Sequence, residues 1–367
     1  MYMKKSFLFI GLASTYSVES YAITVYERND TTIHFSGEMN VVLDKQYYRT
    51  HHYLLNETLN ESMNTNLSNN GSEIGVRVEY ALSDTLDILA RTEWNLNNYE
   101  QNPYGDKFGS LSIRRAYIGL EHQKYGQLSM GRQSLLANDI SASDFDYFVG
   151  SSENVLTYSG KSVVRYDYTG IENLQLSANY HFSEKIDSFP GQQNHKLKNG
   201  VGLAGLYDIA LNDRQALSIG AAYSSVNYLD QANQRAFREG VQLSLIAFSE
   251  NWIFGLDTGL RYRKQPNLFE YEKLFLIKSG FKYAYSEQGS FYTSYAYSIA
   301  KRKNLMTEEM IDRIVRKSAV LGTDYSLHQN VNAYLEAGYS YDLAYANGNK
   351  LEQGIEKIVA SGLEIYW

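Results

Sequence analysis

The 367-residue chain reads as all-β, a transmembrane antiparallel β-barrel of about 16 strands, and three observations predict it. Apolar residues fall at every second position through repeated stretches of roughly ten residues, as in a strand with lipid on one face and water on the other. Hydrophobic residues make up 44% of the chain, yet no run after the N-terminus approaches the roughly 20 apolar residues that a spanning helix needs. Connections alternate between tight and long, which fits short periplasmic turns and long extracellular loops.

Composition agrees. The 33 Tyr and 27 Gly against 3 Pro and no Cys suit amphipathic strands with few interior breaks. A formal charge of −7 argues against nucleic-acid binding, which draws on a basic surface. No cofactor is expected, and no His, Cys or carboxylate cluster has the spacing of a metal site.

Residues 1–22 read as a removable signal peptide. Lys4 and Lys5 precede an apolar stretch over residues 7–13, and Ser20-Tyr21-Ala22 puts small residues at the two positions a signal peptidase reads. Cleavage is expected after Ala22, leaving residues 23–367 as the barrel. The stretch is too short to stay as a spanning anchor.

The first strand places Ile33, Phe35, Met39, Val41 and Leu43 on one face and His34, Ser36, Glu38 and Asn40 on the other. Next, Ile74, Val76, Val78, Tyr80 and Leu82 alternate with Glu73, Arg77 and Glu79. After Ser83-Asp84-Thr85, Leu86, Ile88, Ala90 and Trp94 alternate with Asp87, Arg91 and Glu93. The pair forms a hairpin. The pattern returns at Leu174, Leu176, Ala178, Tyr180 and Phe182, and again at Trp252, Phe254, Leu256, Leu260 and Tyr262 opposite Asp257, Arg261 and Arg263.

Strand starts fall near residues 31, 72, 86, 110, 127, 161, 173, 200, 215, 239, 252, 273, 290, 317, 330 and 355. Residues 210–214, 249–251 and 328–330 read as tight connections; residues 45–71, 183–198 and 301–316 read as long ones. In lipid an open sheet edge leaves unpaired N–H and C=O groups at several kcal/mol each, so the last strand, residues 354–367, must pair with the first. Its expected lipid face carries Ile355, Val359, Leu363, Ile365 and Trp367, with Glu356, Glu364 and Tyr366 inward and Lys357 snorkelling at the outer interface. Trp94, Tyr180, Trp252 and Trp367 are candidates for interfacial girdles.

Three stretches resemble the general, trimeric porins of Gram-negative outer membranes. Residues 114–120, Arg-Arg-Ala-Tyr-Ile-Gly-Leu, run on to Gly126-Gln127-Leu128-Ser129-Met130-Gly131-Arg132-Gln133 and look like that family's Arg-x-Ala-aromatic-x-Gly-Leu block and its Gly-Arg-Gln strand end. Val25-Tyr26 and residues 31–40 resemble its opening strand. Leu363-Glu364-Ile365-Tyr366-Trp367 resembles its aromatic terminus, with Trp in place of the usual Phe. The Pro-Glu-Phe-Gly-Gly motif of the enteric members is missing, and Glu73 stands where many members carry a lumenal Arg.

The resemblance implies an outer-membrane homotrimer in which each barrel passes ions and small hydrophilic solutes without an energy source. It also implies that the third long loop, residues 133–160, folds into the lumen and narrows it. That loop holds Asp139, Asp144, Asp146 and Glu153 and no Lys or Arg before Lys161. On the wall, Arg114 matches the family's basic ladder; Arg77, Arg91, Arg165, Arg261 and Arg263 face the lumen by alternation alone. Opposed charge across a narrow pore sets up a transverse field. Strict alternation turns Arg115 toward lipid, where a midplane Arg costs about 2 to 4 kcal/mol, unless a bulge or an interface rescues it. Arg132 reads as a strand-end structural residue.

Outer-membrane lipid and lipopolysaccharide are the expected surroundings. Lys301-Arg302-Lys303 with Arg313, Arg316 and Lys317 offers basic groups for lipopolysaccharide phosphates, although Glu308, Glu309 and Asp312 favour a solvated loop. Two other functions compete with passive diffusion: a substrate-selective channel, or a barrel serving as an adhesin through its loops. A barrel hydrolase is disfavoured, because His34, His51, His52, His122, His181, His195 and His328 are scattered without a nucleophile motif.

Overall fold

The structure is a computed structural model that describes residues 22–97, 110–150, 153–186, 195–229, 234–265, 269–303 and 311–367. The expected leader, apart from Ala22, lies outside them, as do parts of the connections at 183–198 and 301–316.

Among the described residues, twenty strand segments form one closed antiparallel sheet with sixteen wall positions. They are β1 (Ile23–Arg28), β2 (Thr31–His52), β3 (Glu57–Ser62), β4 (Asn66–Asn69), β5 (Glu73–Ser83), β6 (Leu86–Asn97), β7 (Ser110–His122), β8 (Gly126–Ser134), β9 (Ser159–Ile171) and β10 (Leu174–His181). Then come β11 (Glu184–Ile186), β12 (His195–Asn212), β13 (Gln215–Leu229), β14 (Arg235–Ser249) and β15 (Trp252–Gln265). The last are β16 (Phe269–Ala284), β17 (Gly289–Lys303), β18 (Arg313–His328), β19 (Val331–Ala346) and β20 (Asn349–Tyr366).

Closure falls on β2. Its residues from Glu38 to His52 pair with β20 from Tyr366 back to Glu352. On the same edge β1 continues the line, with Ile23 opposite Phe35 and Arg28 opposite Thr31. The opposite edge of β2 is covered by β5, β4 and β3 in turn. Gly37 and Trp367 exchange backbone hydrogen bonds of 2.8 and 3.0 Å. Gly37 lies under the Trp367 indole, where a side chain would collide with the ring. No backbone edge of the wall is thereby left to lipid at the seam.

Strands run into both ends of the expected long connections, with β11 and the start of β12 inside 183–198 and the end of β17 and start of β18 inside 301–316, because pairing continues beyond the apolar band. Three further elements differ from the sequence expectation. Residues 45–71 are not a plain loop: β2 runs on to His52, and β3 and β4 return beside it. Beyond the bilayer a strand needs no apolar face, so the alternation that marks it in sequence fades. The closing strand starts at Asn349 rather than near 354, after a two-residue turn in which Asn347 (φ 52°) and Gly348 (φ 79°) are left-handed. Such a turn matches the twist of paired strands, so one connection on the long-loop side is tight. The third difference, a bulge in β7, reshapes the pore wall.

Alternation elsewhere holds residue by residue. On β13, Ala216, Ser218, Gly220, Ala222, Ser224 and Val226 point inward and are buried, while Ile219 and Tyr223 are exposed to the bilayer. These inward residues are small, and they leave space in the lumen for another element.

Candidate pore constriction

That element is the connection from β8 to β9. After Ser134 the chain makes one helical turn, α1 (Leu136–Asp139), and crosses the lumen before β9 begins at Ser159. Its two ends bury apolar side chains against the small-residue wall. Leu135, Leu136, Ala137, Ile140, Val155 and Leu156 cluster with Ala222, Leu274, Leu276 and Ala300. Its middle, Tyr147, Phe148 and Val149, packs on Val42, Tyr334 and Ala360. Gly255 permits the approach: a Cβ there would run into the carbonyl oxygen of Ala142.

Two wall carboxylates hold the loop backbone. Asp257 accepts from the N–H groups of Ala142 and Ser143, each at 3.0 Å, and from the Ser143 hydroxyl at 2.5 Å. Glu336 accepts from the N–H groups of Tyr147 (2.6 Å), Phe148 (3.0 Å) and Val149 (2.9 Å), and from the Tyr292 hydroxyl (2.8 Å). A loop crossing a pore has backbone groups with no ladder to join, and each acid satisfies several at once. Tyr147 stacks on Tyr334 with centroids 4.7 Å apart, and its hydroxyl donates to Asp324 at 3.0 Å. The returning arm is clamped by arginines: Arg238 donates to the carbonyls of Asn154 (2.7 Å) and Leu156 (2.8 Å).

Facing the loop, β5, β6 and β7 build a wall of alternating charge. The register between β6 and β7 shifts so that Glu93 pairs with Arg115 and Trp94 with Ile113. Arg114 is the extra residue of this bulge, and both arginines turn inward. Arg115 therefore does not face lipid: it meets Glu93 at 3.1 Å. Arg114 reaches Glu73 and also Glu93 (3.1 Å), and Arg91 reaches Glu93 at 2.9 Å. Arg132 donates to the carbonyl of Ile113 at 2.8 Å and so closes the bulge, a structural role at the strand end.

Between loop and wall lies a cavity of about 530 Å³. Of the sequence-derived site residues, Asp139, Asp144, Asp146, Arg91 and Arg114 line it together. Asp144 pairs with Lys278, and Asp146 accepts from the Ser294 hydroxyl at 3.0 Å. Burial and the neighbouring Asp144 push the Asp146 carboxyl up to about 6, against the pull of Lys278. The other five do not line this cavity. Glu153 pairs with Arg316 and, at 3.5 Å, with Arg261. Arg261 and Arg263 converge on the buried Glu272 at 3.1 and 2.7 Å. Arg165 pairs with Asp167 (2.8 Å) and donates to the carbonyl of Ser134 (2.7 Å), fixing the loop's departure. Arg77 lies nearer the short turns, paired with Glu79 at 2.6 Å.

Glu38, Glu73, Arg115, Lys282 and Glu364 also line the cavity and were not among the sequence-derived site residues. The inward parity of Glu38, Glu73 and Glu364 was readable, whereas strict alternation turned Arg115 toward lipid; the convergence of all five at one height depends on strand stagger, which periodicity does not carry.

Comparison with known proteins agrees with this architecture. The family described as Gram-negative porin matches residues 19–343. The chain is 23% identical over 389 aligned residues to the major outer membrane protein of Pasteurella multocida strain Pm70, covering 100% of both. Among solved structures it resembles the trimer form of OmpT, an outer membrane protein of Vibrio cholerae, with a TM-score of 0.65 at 16% identity, covering 92% of this chain and 100% of that one. It also resembles an anion-selective porin from Comamonas acidovorans, with a TM-score of 0.63 at 15% identity and coverage of 92% and 100%. The chain belongs to the Gram-negative porins, barrels that form channels through the outer membrane.

Proposed function

We propose that this porin passes ions and small hydrophilic solutes by passive diffusion, with a preference for cations set between the third long connection and the β5–β7 wall. The observation that carries the preference is the charge of the cavity lining. Glu38, Glu73, Asp139, Asp144, Asp146 and Glu364 stand there against Arg91, Arg114, Arg115 and Lys282. Within low-dielectric walls a local excess of carboxylates attracts cations and repels anions. Asp139, Asp144 and Asp146 set the field, opposite Arg91 and Arg114, whose charge Glu73 and Glu93 largely compensate; Glu153, Arg77, Arg165, Arg261 and Arg263 act by holding the loop or wetting the lumen.

Reversal potentials of the purified protein in a planar bilayer under a salt gradient test this reading. A sign that reports anion preference overturns the selectivity, and an absence of conductance from folded protein overturns the pore. The same reading includes a homotrimer with one pore per subunit, supported by the resemblance to the trimer form of the Vibrio protein. It also includes export with loss of residues 1–22, and an outer wall bathed in lipid with lipopolysaccharide at the long-loop rim.

A further inference from the structure

The constriction cavity is not uniformly polar. On the short-turn side of the loop, Phe145, Ile246, Phe248 and Ile253 all line it. Ile246 and Phe248 lie on the inward face of β14, next in line to Gln242 and Ser244. Ile253 lies on the inward face of β15, below Gly255 and Asp257. Phe145 presses one side of its ring on Gly280. Phe145, Phe248 and Ile253 each keep part of their surface open to the lumen. A lumen that served hydrophilic solutes alone gains nothing from wet aromatic and branched side chains, and an apolar patch of this kind marks a contact surface.

The same cavity is lined by Glu38, Asp139, Asp146 and Glu364. Several of these carboxylates are hydrogen-bonded by neutral donors. Glu364 accepts from the Asn40 amide at 2.5 Å and the Tyr366 hydroxyl at 2.6 Å; Asp146 accepts from Ser294 at 3.0 Å and Asp139 from Asn138 at 3.3 Å. Such donors orient a carboxylate and leave its charge in place. An apolar shelf beside oriented carboxylates is complementary to a solute with both characters.

Resting on the pore reading above, we propose that this cavity is a subsite for an organic cation carrying a single apolar ring, the ring on the shelf of Phe145, Ile246, Phe248 and Ile253 and the charge toward Asp139, Asp146 and Glu364. A volume of about 530 Å³ falls in the range of small-ligand sites and holds one ring with its ammonium group and some water. The ring removes apolar wall and ligand surface from water together, and an ammonium group gains from the adjoining aromatic faces. An anion of the same shape meets carboxylates instead.

The test is block of ion current through the full protein in a planar bilayer. Benzyltrimethylammonium is compared with tetramethylammonium, which has the charge without the ring, and with benzenesulfonate, which has the ring with the opposite charge. Block by benzyltrimethylammonium at roughly tenfold lower concentration than either is expected from burial of one ring. Phe248→Ser should bring it toward the tetramethylammonium value, and Asp146→Asn should weaken block by both cations. Ile253→Asn serves in place of Phe248→Ser where the latter does not assemble. Equal block by the two cations, or block by benzenesulfonate as strong as by benzyltrimethylammonium, overturns the subsite while leaving the pore intact. Absence of any current in the unmodified protein sinks the pore reading instead.

Discussion

Replacing Glu336 with Gln should loosen the third long connection from the wall without opening the barrel. One carboxylate oxygen accepts the Tyr147 N–H (2.6 Å) and the Tyr292 hydroxyl (2.8 Å); the other accepts the N–H groups of Phe148 (3.0 Å) and Val149 (2.9 Å). Glutamine keeps one acceptor oxygen and turns the other into an NH₂. In its cheaper orientation the amide nitrogen faces Tyr147 and Tyr292. The Tyr292 hydroxyl can rotate to accept, but the Tyr147 N–H cannot, and one buried donor without a partner costs about 1 to 3 kcal/mol. The two remaining amide bonds fall from charge-assisted to neutral strength, about 1 kcal/mol each. The sum is on the order of 3 to 5 kcal/mol, or more than a hundredfold in the ratio of docked to undocked loop. Single-channel recordings of Glu336→Gln should show added open-state noise, and amide exchange over residues 145–149 should accelerate to match, with the strands unchanged. Wild-type exchange at those amides together with wild-type noise would refute the claim that Glu336 anchors the loop.

Asp144→Asn with Asp146→Asn should shift the reversal potential in a salt gradient toward anion preference. In the unmodified protein the cation preference should decline as pH falls through about 6, where Asp146 gains its proton, and not only near the ordinary carboxylate range. The natural chain has no Cys, so single cysteines report facing directly: Arg115→Cys should react with a charged, membrane-impermeant thiol reagent and Ile118→Cys should not, whereas strict alternation through Arg114 predicts protection of position 115. N-terminal sequencing of protein recovered from the outer membrane should begin at Ile23; a start elsewhere corrects the leader.

Period two made the barrel legible because a lipid-facing strand has no other way to satisfy its surroundings. It placed Arg91, Glu93, Asp257 and Arg261 inward correctly, since those strands run without interruption at these points. It failed at Arg115 because one extra residue reverses parity from there on. Two successive arginines in an otherwise alternating run were the visible trace of that bulge. It failed again over residues 45–71, where strands leave the bilayer and lose the apolar half of their pattern. The loop anchors were hidden for a different reason. Asp257 and Glu336 look like any lumenal acid, and their partners lie 114 to 115 and 187 to 189 positions away in the chain. Only the closed wall brings them together.

The bulge also changes what the basic wall can do. Without it, Arg114 would face the lumen alone above Arg91. With it, Arg114 and Arg115 join Arg91 around two buried acids, Glu73 and Glu93. Each of these arginines has a carboxylate partner, so much of their field is cancelled within a few ångströms and little of it extends across the pore. The acids of the opposite side are compensated less completely: Asp144 has Lys278, while Asp139 and Asp146 take hydrogen bonds from Asn138 and Ser294. The transverse field is therefore lopsided, anchored by loop carboxylates and weakened at the arginine wall. Breaking the wall acids should then matter more for selectivity than their burial suggests. Glu73→Gln releases Arg114 from a partner, adds positive charge to the lining, and should move the reversal potential in the same direction as removing Asp146. If Glu73→Gln leaves the reversal potential where it was, the wall arginines are already exerting their full field, and the cation preference has to come from elsewhere in the lumen.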